Sequence, residues 1–274
     1  MKSHVQYVAA YRDLRRAGVS GASVPERPVP APGAEAPVVL LFSPHPDDEC
    51  IAGGLALRLR REAGARVINV PMTFGSRADR RAARREELVR ACRHLGFDVA
   101  EPAGLEGVVS PGRVASLLNE HRPRLICFPH AEDGNAAHER VNRLVRAALP
   151  LADVDCLLAE TEFWRPMRRP NAMVELSVDD LAWLVEALSL HAGEVARNPY
   201  HLSLPAWMMD NVRRGAETAL APGGAAPDID FATLYRVTLW RKREEISVLD
   251  KGLVLSAGQP AGGLLALGSA GLGS

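Results

Sequence analysis

The sequence predicts an α/β fold with a mainly parallel sheet and helices on both of its faces. From residue 38 onward, short apolar runs alternate with stretches of helical periodicity. This alternation is typical of βαβ units around a sheet that is buried on both sides. Hydrophobic residues make up 47% of the 274-residue chain and charged residues 24%, which is the composition of a globular domain with a full core.

The elements follow in chain order from the apolar runs and the helical periodicity. An amphipathic helix is expected around residues 5–17, before a Pro-rich stretch that cannot continue it. Strands are expected at 38–43, 66–73, 124–129, 154–159, 171–177 and 231–240. Helices are expected at 50–63, 77–96, 111–121, 138–149, 179–197 and 206–219. Because the regular alternation ends near residue 160, the second half is expected to be an α+β extension.

A single domain over residues 1–256 is the expected organisation. Residues 1–37 form its lead-in, and residues 160–256 complete the sheet edge and provide a wall of the substrate site. The last residues, 257–274, are mainly Gly, Ala, Leu and Ser and show little pattern. A disordered tail is therefore expected there.

The global composition argues against several classes of protein. The formal net charge is zero, so no overall field attracts nucleic acid, and no apolar run reaches the roughly 20 residues of a membrane-spanning helix. The N-terminal segment lacks the apolar stretch of a secretion signal, which makes the cytoplasm the expected compartment. The sequence has no Cys-x-x-Cys pair, no glycine-rich nucleotide loop and no Gly-x-Ser-x-Gly motif. The oligomeric state stays open.

An acidic motif follows the first predicted strand. Residues 43–49 read Ser-Pro-His-Pro-Asp-Asp-Glu, directly after the apolar run 38–42. One interpretation is a solvated turn in which Asp47 or Asp48 caps the next helix. The other is a metal site, because charges beside a buried strand are retained when they are paired, hydrogen-bonded or bound to a cation. The imidazole of His45 in the same turn favours the metal site.

A second polar cluster, residues 129–138, follows the strand that ends at Phe128. Ligands bind beyond the carboxyl ends of parallel strands, so the two clusters are expected to share one crevice. His45 and Asp48 would bind a metal ion from one side and His138 from the other. Two imidazoles and one carboxylate with an open position are typical of catalytic zinc, and another divalent metal is an alternative.

The remaining acidic residues of the motif can then serve the reaction. Asp47 is not needed as a ligand, so it is predicted to be the general base that takes a proton from the attacking water. Glu49 is expected to hydrogen-bond the start of the helix or to orient His45. This arrangement predicts metal-assisted hydrolysis.

With these residues, the chain resembles the LmbE-like zinc N-deacetylases, also called the PIG-L family. The resemblance implies a Rossmann-like fold, zinc bound by His45, Asp48 and His138, and Asp47 as the general base. It also implies removal of an acetyl group from an N-acetylglucosamine-type amino sugar within a larger molecule. The segments that carry it are the acidic motif, Gly53-Gly54, Thr73-x-Gly75, Arg84-x-x-Glu87-Leu88, Leu95-Gly96, the Asp-x-x-x-x-His run ending at His138, and Ala187-x-x-x-His191.

The chain departs from the family pattern at Asn135. Where the family has His-x-x-His, the chain has Asn135 followed three residues later by His138, and it resembles a branch with Asn-x-x-His. An amide donates a hydrogen bond to an oxyanion but carries no titrating proton, so Asn135 is predicted to be catalytic without acting as the acid. The proton for the leaving amine then comes from Asp47, His130 or His191, of which we favour Asp47.

Four residues are predicted to contact the substrate, namely Arg84, His130, His191 and His201. For Arg84, which matches an arginine of the family, an ion pair within its helix is the alternative. For His191, a hydrogen-bonded place in the core is the alternative. His201 shares a Pro-bounded loop with Trp207, whose ring could stack on a sugar, whereas Trp164 is expected in the core.

The predicted function is therefore a zinc-dependent amidohydrolase. Its expected substrate is a small-molecule N-acetylated amino sugar or glycoconjugate, without nucleic-acid or membrane partners. Asn135 in place of histidine leaves a catalytically weak, metal-dependent glycan-binding protein as an alternative. A related zinc amidase that acts on a thioconjugate is a third candidate.

Overall fold

One mixed sheet organises the computed structural model, which describes residues 3–18, 24–100, 109–220 and 223–268. The strands found there are β1 Val38–Ser43, β2 Arg66–Pro71, β3 Asp98–Val99, β4 Leu125–Pro129, β5 Cys156–Thr161, β6 Ala172–Leu176, β7 Phe231–Arg241, β8 Glu244–Ser247 and β9 Leu253–Leu255. Their order across the sheet is β3-β2-β1-β4-β5-β7-β6-β9, and β8 pairs with β7. The predicted α/β class with a Rossmann-like, mainly parallel sheet is confirmed.

The two halves of the chain pair their strands differently. Strands β3, β2, β1, β4 and β5 are all parallel to one another. The long strand β7 runs antiparallel to β5 on one side and to β6 on the other. The second half thus extends the same sheet and shares its core.

Helices cover both faces of the sheet. They are α1 His4–Ala17, α2 Asp48–Ile51, α3 Gly54–Glu62, α4 Arg81–Leu95, α5 Pro111–His121, α6 Ala136–Ala148, α7 Val178–Ser189, α8 Ala192–Arg197, α9 Tyr200–Gly215 and α10 Gly262–Leu265. Side chains of β1 alternate between the two cores: Val39 and Leu41 pack with α3, α4 and α7, whereas Leu40 and Phe42 pack with α5 and α6. No helix in the described part of the chain is long and apolar enough to cross a membrane.

The predicted helix 50–63 is interrupted, and a tyrosine from β7 hydrogen-bonds the backbone groups that the interruption leaves free. The chain turns at Ala52 between α2 and α3. The Tyr235 hydroxyl donates to the Ala52 carbonyl oxygen at 2.9 Å and accepts from the Leu55 backbone N–H at 2.9 Å. Because a buried backbone group without a partner is costly, this hydroxyl allows the helix to break inside the core.

Two other predicted helices have different limits in the structure. The helix expected over 179–197 breaks at His191, which sits at the start of α8. The helix expected over 206–219 begins at Tyr200, so His201 and Trp207 lie on α9, and the Pro-bounded loop predicted for them is wrong.

The C-terminal segment 257–268 packs on the domain, which corrects the predicted tail. Arg58 on α3 is fully buried. Its guanidinium donates to carbonyl oxygens of Leu255, Ser256 and Gln259, at 3.0, 3.0 and 2.7 Å. The segment is held by hydrogen bonds from a side chain far away in the sequence, so its own composition does not predict that it is ordered. The remaining tail residues, 269–274, lie outside the described residues.

Candidate metal centre

Two loops at the same edge of the sheet form the candidate centre. One follows β1 and carries the acidic motif, and the other joins β4 to α6. Because β1 and β4 are parallel neighbours, paired for example through Leu41 and Cys127, their carboxyl ends lie side by side. The sheet topology therefore brings the two sequence clusters together, as expected for ligand sites in open α/β folds.

The predicted ligands His45, Asp48 and His138 meet at this edge. One ligand atom from each lies within 4.8 Å of the others. Oδ2 of Asp48 is 3.5 Å from Nδ1 of His45 and 3.4 Å from Nε2 of His138. Asp48 Oδ2 also accepts the backbone N–H of His45 at 2.8 Å, which fixes the carboxylate inside the turn. Asp48 and His138 are buried, and His45 is partly exposed.

The donor atoms fit a divalent cation. His138 Nε2 is buried and forms no hydrogen bond with any described residue, although it faces the Asp48 carboxylate. A buried nitrogen without a partner is costly unless a cation or another group meets it. Two imidazole nitrogens and one carboxylate oxygen are the ligands of catalytic zinc sites.

Asp133 belongs to this centre and was not among the predicted site residues. Its Oδ1 lies 3.2 Å from Nδ1 of His138, on the side of the ring opposite Asp48. Its Oδ2 accepts the backbone N–H groups of Phe163 and Trp164 at 3.3 and 3.4 Å. A carboxylate on the second nitrogen of a ligating histidine fixes the tautomer and the ring orientation. The signal in the sequence is the Asp-x-x-x-x-His run itself.

Two opposing effects set the pKa values of the centre, namely burial and the charges of neighbouring side chains. Burial alone would raise the pKa of Asp48, but the imidazoles of His138 and His45 outweigh it and lower this pKa far below the ordinary value. Burial would lower the pKa of His138, and Asp48 with Asp133 outweighs it, so that pKa is raised. Burial raises the pKa of Asp133 despite the opposing His138 charge. The centre therefore keeps Asp48 ionised.

Asp47 has an unusual backbone and a buried carboxyl group. It precedes α2 with φ of 114°, and its side chain makes no capping hydrogen bond. The alternative that this carboxylate caps the helix therefore does not hold. Burial, followed by the charges of Asp48 and Glu49, raises the pKa of Asp47 well above its ordinary value.

In the metal-free protein, Asp47→Asn is expected to raise the free energy of unfolding near neutral pH. The folded-state pKa of Asp47 exceeds its unfolded-state value, so wild-type stability falls as the pH rises from the unfolded pKa toward the folded one. Asn has no such titration and tolerates a positive φ. Urea unfolding between about pH 4 and about pH 8 with a chelator measures this effect. A difference between variant and wild type that stayed constant with pH would contradict it.

Glu49 contacts the helix start but not His45. Its Oε2 accepts the backbone N–H of Asp47 at 3.0 Å, and its Oε1 lies 2.6 Å from Nε2 of His191. Both side chains are fully buried. The predicted hydrogen bond at the start of the helix is therefore present. His191 thus has the hydrogen-bonded core position that was its alternative, and its contact with the substrate stays a prediction.

Asn135 is the N-cap of α6. Its Oδ1 accepts the backbone N–H of Ala137 at 2.9 Å. Capping uses the oxygen and leaves the Nδ2 group as the donor available to a reacting molecule. Its catalytic role stays a prediction.

The other residues predicted to bind substrate have structural contacts. His130 Nδ1 accepts the N–H of Glu132 at 3.3 Å, and Nε2 lies 2.9 Å from the Arg165 carbonyl oxygen, so both nitrogens are used. Arg84 donates to the carbonyl oxygens of Phe74 and Pro46 at 3.3 and 3.2 Å. These contacts hold loops together, and the substrate contacts predicted for His130 and Arg84 stay predictions. Burial lowers the pKa of His201 on α9, and its role in binding stays a prediction.

A small pocket adjoins the candidate ligands, with Asp48, His138 and Phe163 in its wall. The ring of Trp164 lies 5.5 Å from that of Phe163 and is 50% exposed. The core position predicted for Trp164 is therefore wrong. Because Asp133 binds the backbone at 163 and 164, the segment with these two aromatic rings is fixed next to the pocket.

Comparisons with known proteins place part of the chain in a family. Residues 40–149 match the family described as PIG-L, GlcNAc-PI de-N-acetylase. The chain is similar in structure to the N,N'-diacetylchitobiose deacetylase of Pyrococcus horikoshii, with 17% identity and a TM-score of 0.56 over 86% of this chain and 93% of that one. None of the curated proteins matches the chain in sequence.

Two further solved structures are similar to the chain. GalB, the 4-carboxy-2-hydroxymuconate hydratase of Pseudomonas putida, has 19% identity and a TM-score of 0.58 over 77% of this chain and all of that one. A deacetylase of the teicoplanin biosynthetic pathway has 15% identity and a TM-score of 0.56 over 76% of this chain and all of its own. Identities this low show a shared fold, and a hydratase among these structures illustrates that fold alone does not specify the reaction. The match to the PIG-L (LmbE-like) family covers all three candidate ligands, His45, Asp48 and His138.

Proposed function

We propose that the protein is a zinc-dependent deacetylase of an N-acetylated amino sugar or its conjugate. The observation that carries the proposal is the position of Asp47, a buried carboxyl group that directly precedes Asp48 in the ligand cluster. A hydrolase needs both a metal centre and a base beside it. The family match over residues 40–149 supports de-N-acetylation as the reaction. The assignment to a branch with Asn-x-x-His stays part of this proposal.

In the proposed mechanism, His45, Asp48 and His138 hold the metal, and Asp133 orients His138. Zinc in this position supplies polarisation of the amide carbonyl and a lowered pKa for water. Asp47 takes a proton from the attacking water and returns it to the leaving nitrogen, so that water and the amide become acetic acid and a free amine.

The local environment suits this shuttle. Burial raises the pKa of Asp47, which makes its carboxyl group a better proton carrier near neutral pH than an ordinary aspartate. The Nδ2 group of Asn135 can donate a hydrogen bond to the oxyanion. Because Asn135 carries no proton to give, both proton transfers fall to Asp47.

Asp47→Asn is expected to retain zinc and to lose turnover by roughly 10²-fold to 10⁴-fold, the usual contribution of a general acid or base. The measurements are elemental analysis of the purified protein and release of free amine from a panel of N-acetylated amino sugars. Asp79→Asn is the matched control, because Asp79 is exposed and pairs with Arg77, which is also exposed. It should behave as wild type.

Three outcomes would reject this function. Wild-type protein without a stoichiometric divalent metal under zinc-replete conditions would remove the metal centre. Bound metal and bound sugar without any amine release would favour the glycan-binding alternative, which Asn135 in place of histidine motivates. Turnover of a thioconjugate amide but of no amino sugar would favour the third candidate.

A further inference from the structure

A fully buried pair connects the turn between α7 and α8 to the backbone of Asp47. His191 Nε2 lies 2.6 Å from Glu49 Oε1, and Glu49 Oε2 accepts the Asp47 N–H at 3.0 Å. Neither His191 nor Glu49 has any exposed surface. One carboxylate thus joins an imidazole from the second half of the chain to the peptide group of the proposed base.

A second connection runs from α8 to the same loop. Glu194 on α8 lies 3.5 Å from Nε of Arg84, and the Arg84 guanidinium donates to the Pro46 carbonyl oxygen at 3.2 Å. That carbonyl group and the Asp47 N–H belong to the same peptide unit. Glu49 and Arg84 therefore hydrogen-bond the two polar groups of one peptide unit, the N–H and the C=O between residues 46 and 47.

This peptide bond determines the conformation of Asp47. A φ of 114° is rare for a residue with a side chain and persists only where surrounding contacts impose it. The contacts that impose it here are the hydrogen bond that the Asp47 N–H donates to Glu49 and the one that Arg84 donates to the Pro46 carbonyl oxygen. Without them, rotation of this peptide would turn the Asp47 carboxyl group relative to Asp48.

We propose that His191 and Glu194 are positioning residues, which hold the peptide between Pro46 and Asp47 through Glu49 and Arg84. The proposal rests on the proposed function, in which Asp47 moves the proton. The proposal connects α8, which precedes α9 in the predicted substrate wall, to the orientation of the Asp47 carboxyl group. A shift of α8 would therefore change the rate of proton transfer while the ligands His45, Asp48 and His138 stay in place.

The same residues have another possible chemistry, a second metal site. Ligand atoms of Glu49, Cys50 and His191 lie within 4.8 Å of one another. At 2.6 Å, however, Nε2 of His191 and Oε1 of Glu49 share a hydrogen bond, so these two facing atoms already have partners. Burial also raises the pKa of the Cys50 thiol and opposes the thiolate form. We therefore favour the hydrogen-bonded pair.

The test compares His191→Ala with His191→Gln, which can still donate an amide hydrogen bond to Glu49. We expect His191→Ala to lower kcat at least about tenfold, with KM and one equivalent of zinc unchanged. His191→Gln should recover much of the loss, and added imidazole should restore part of it in the alanine variant. Glu194→Gln tests the second connection if the alanine variant does not fold. Arg197→Gln removes the exposed partner of Glu194 and is the control.

A crystal structure of each variant gives a readout that does not depend on activity. Asp47 should leave positive φ in His191→Ala and keep it in His191→Gln. Unchanged φ and unchanged kcat in His191→Ala would overturn the proposal. A raised KM alone would assign His191 to substrate binding, and two equivalents of zinc in the wild type would assign it to a second metal site, so each would overturn it. Failure of the proposed function is seen separately, as absence of amine release by the wild type.

Discussion

Asp48→Ala is expected to abolish stoichiometric zinc binding and to reduce amine release by roughly 10³-fold or more. Asp48 lies between the two imidazoles of the centre, and its carboxylate is the only anionic ligand of the predicted trio. Without it, the ion would lose the ligand that offsets its charge. The size of the effect follows from metal polarisation of the carbonyl, which is worth several kcal/mol.

Asp133→Asn is the graded comparison for this variant. It keeps all three ligands and alters only the group behind His138. Metal affinity should fall by about 10-fold to 100-fold, and excess zinc should restore turnover. Elemental analysis and zinc titrations measure both variants. If Asp48→Ala retained one tightly bound metal ion, the ligand assignment would be wrong.

Arg58→Met is expected to lower the free energy of unfolding by at least about 1–3 kcal/mol, which is the cost of leaving buried acceptors without a donor. Arg58 is fully buried, pairs with Glu62 at 2.6 Å and donates to carbonyl oxygens of the C-terminal segment. Methionine fills a similar volume but leaves these acceptors without a donor. Urea unfolding monitored by circular dichroism measures the change.

The matched control is Arg66→Met. Arg66 also pairs with a carboxylate, Asp98 at 2.7 Å, but both side chains are half exposed. An exposed pair contributes about 0–1 kcal/mol, so the control should differ little from wild type. Limited proteolysis should also detect earlier cleavage after residue 255 in Arg58→Met. Equal stability of the two variants would show that Arg58 does not anchor the C-terminal segment.

The sequence predicts the sheet well because its strands are short apolar runs between helices. It does not reveal where helices break, because the breaks depend on distant partners. The helix expected over 50–63 ends at Ala52 since Tyr235, 183 residues away, binds the free backbone groups there. In the same way, the ordered segment 257–268 depends on the buried Arg58.

For similar reasons, the sequence predicts some residues of the candidate site and misses others. His45, Asp48 and His138 could be named because ligand types follow two neighbouring strands, and the structure brings them together. Asp133 was missed because its role lies in a contact with His138 across a loop. His130, by contrast, carries the residue type of a catalytic group, but the fold uses both of its nitrogens in loop contacts.

The position of Tyr235 on β7 affects when the metal centre is completed during synthesis of the chain. All three candidate ligands lie in the first 138 residues, whereas Tyr235 and His191, which complete their surroundings, are synthesised later. Contacts across such long separations form late, since closing the long loops costs entropy. A nascent chain would therefore expose its metal-binding residues before the second half fixes their geometry. The mature centre therefore has contacts from both halves of the chain in its surroundings.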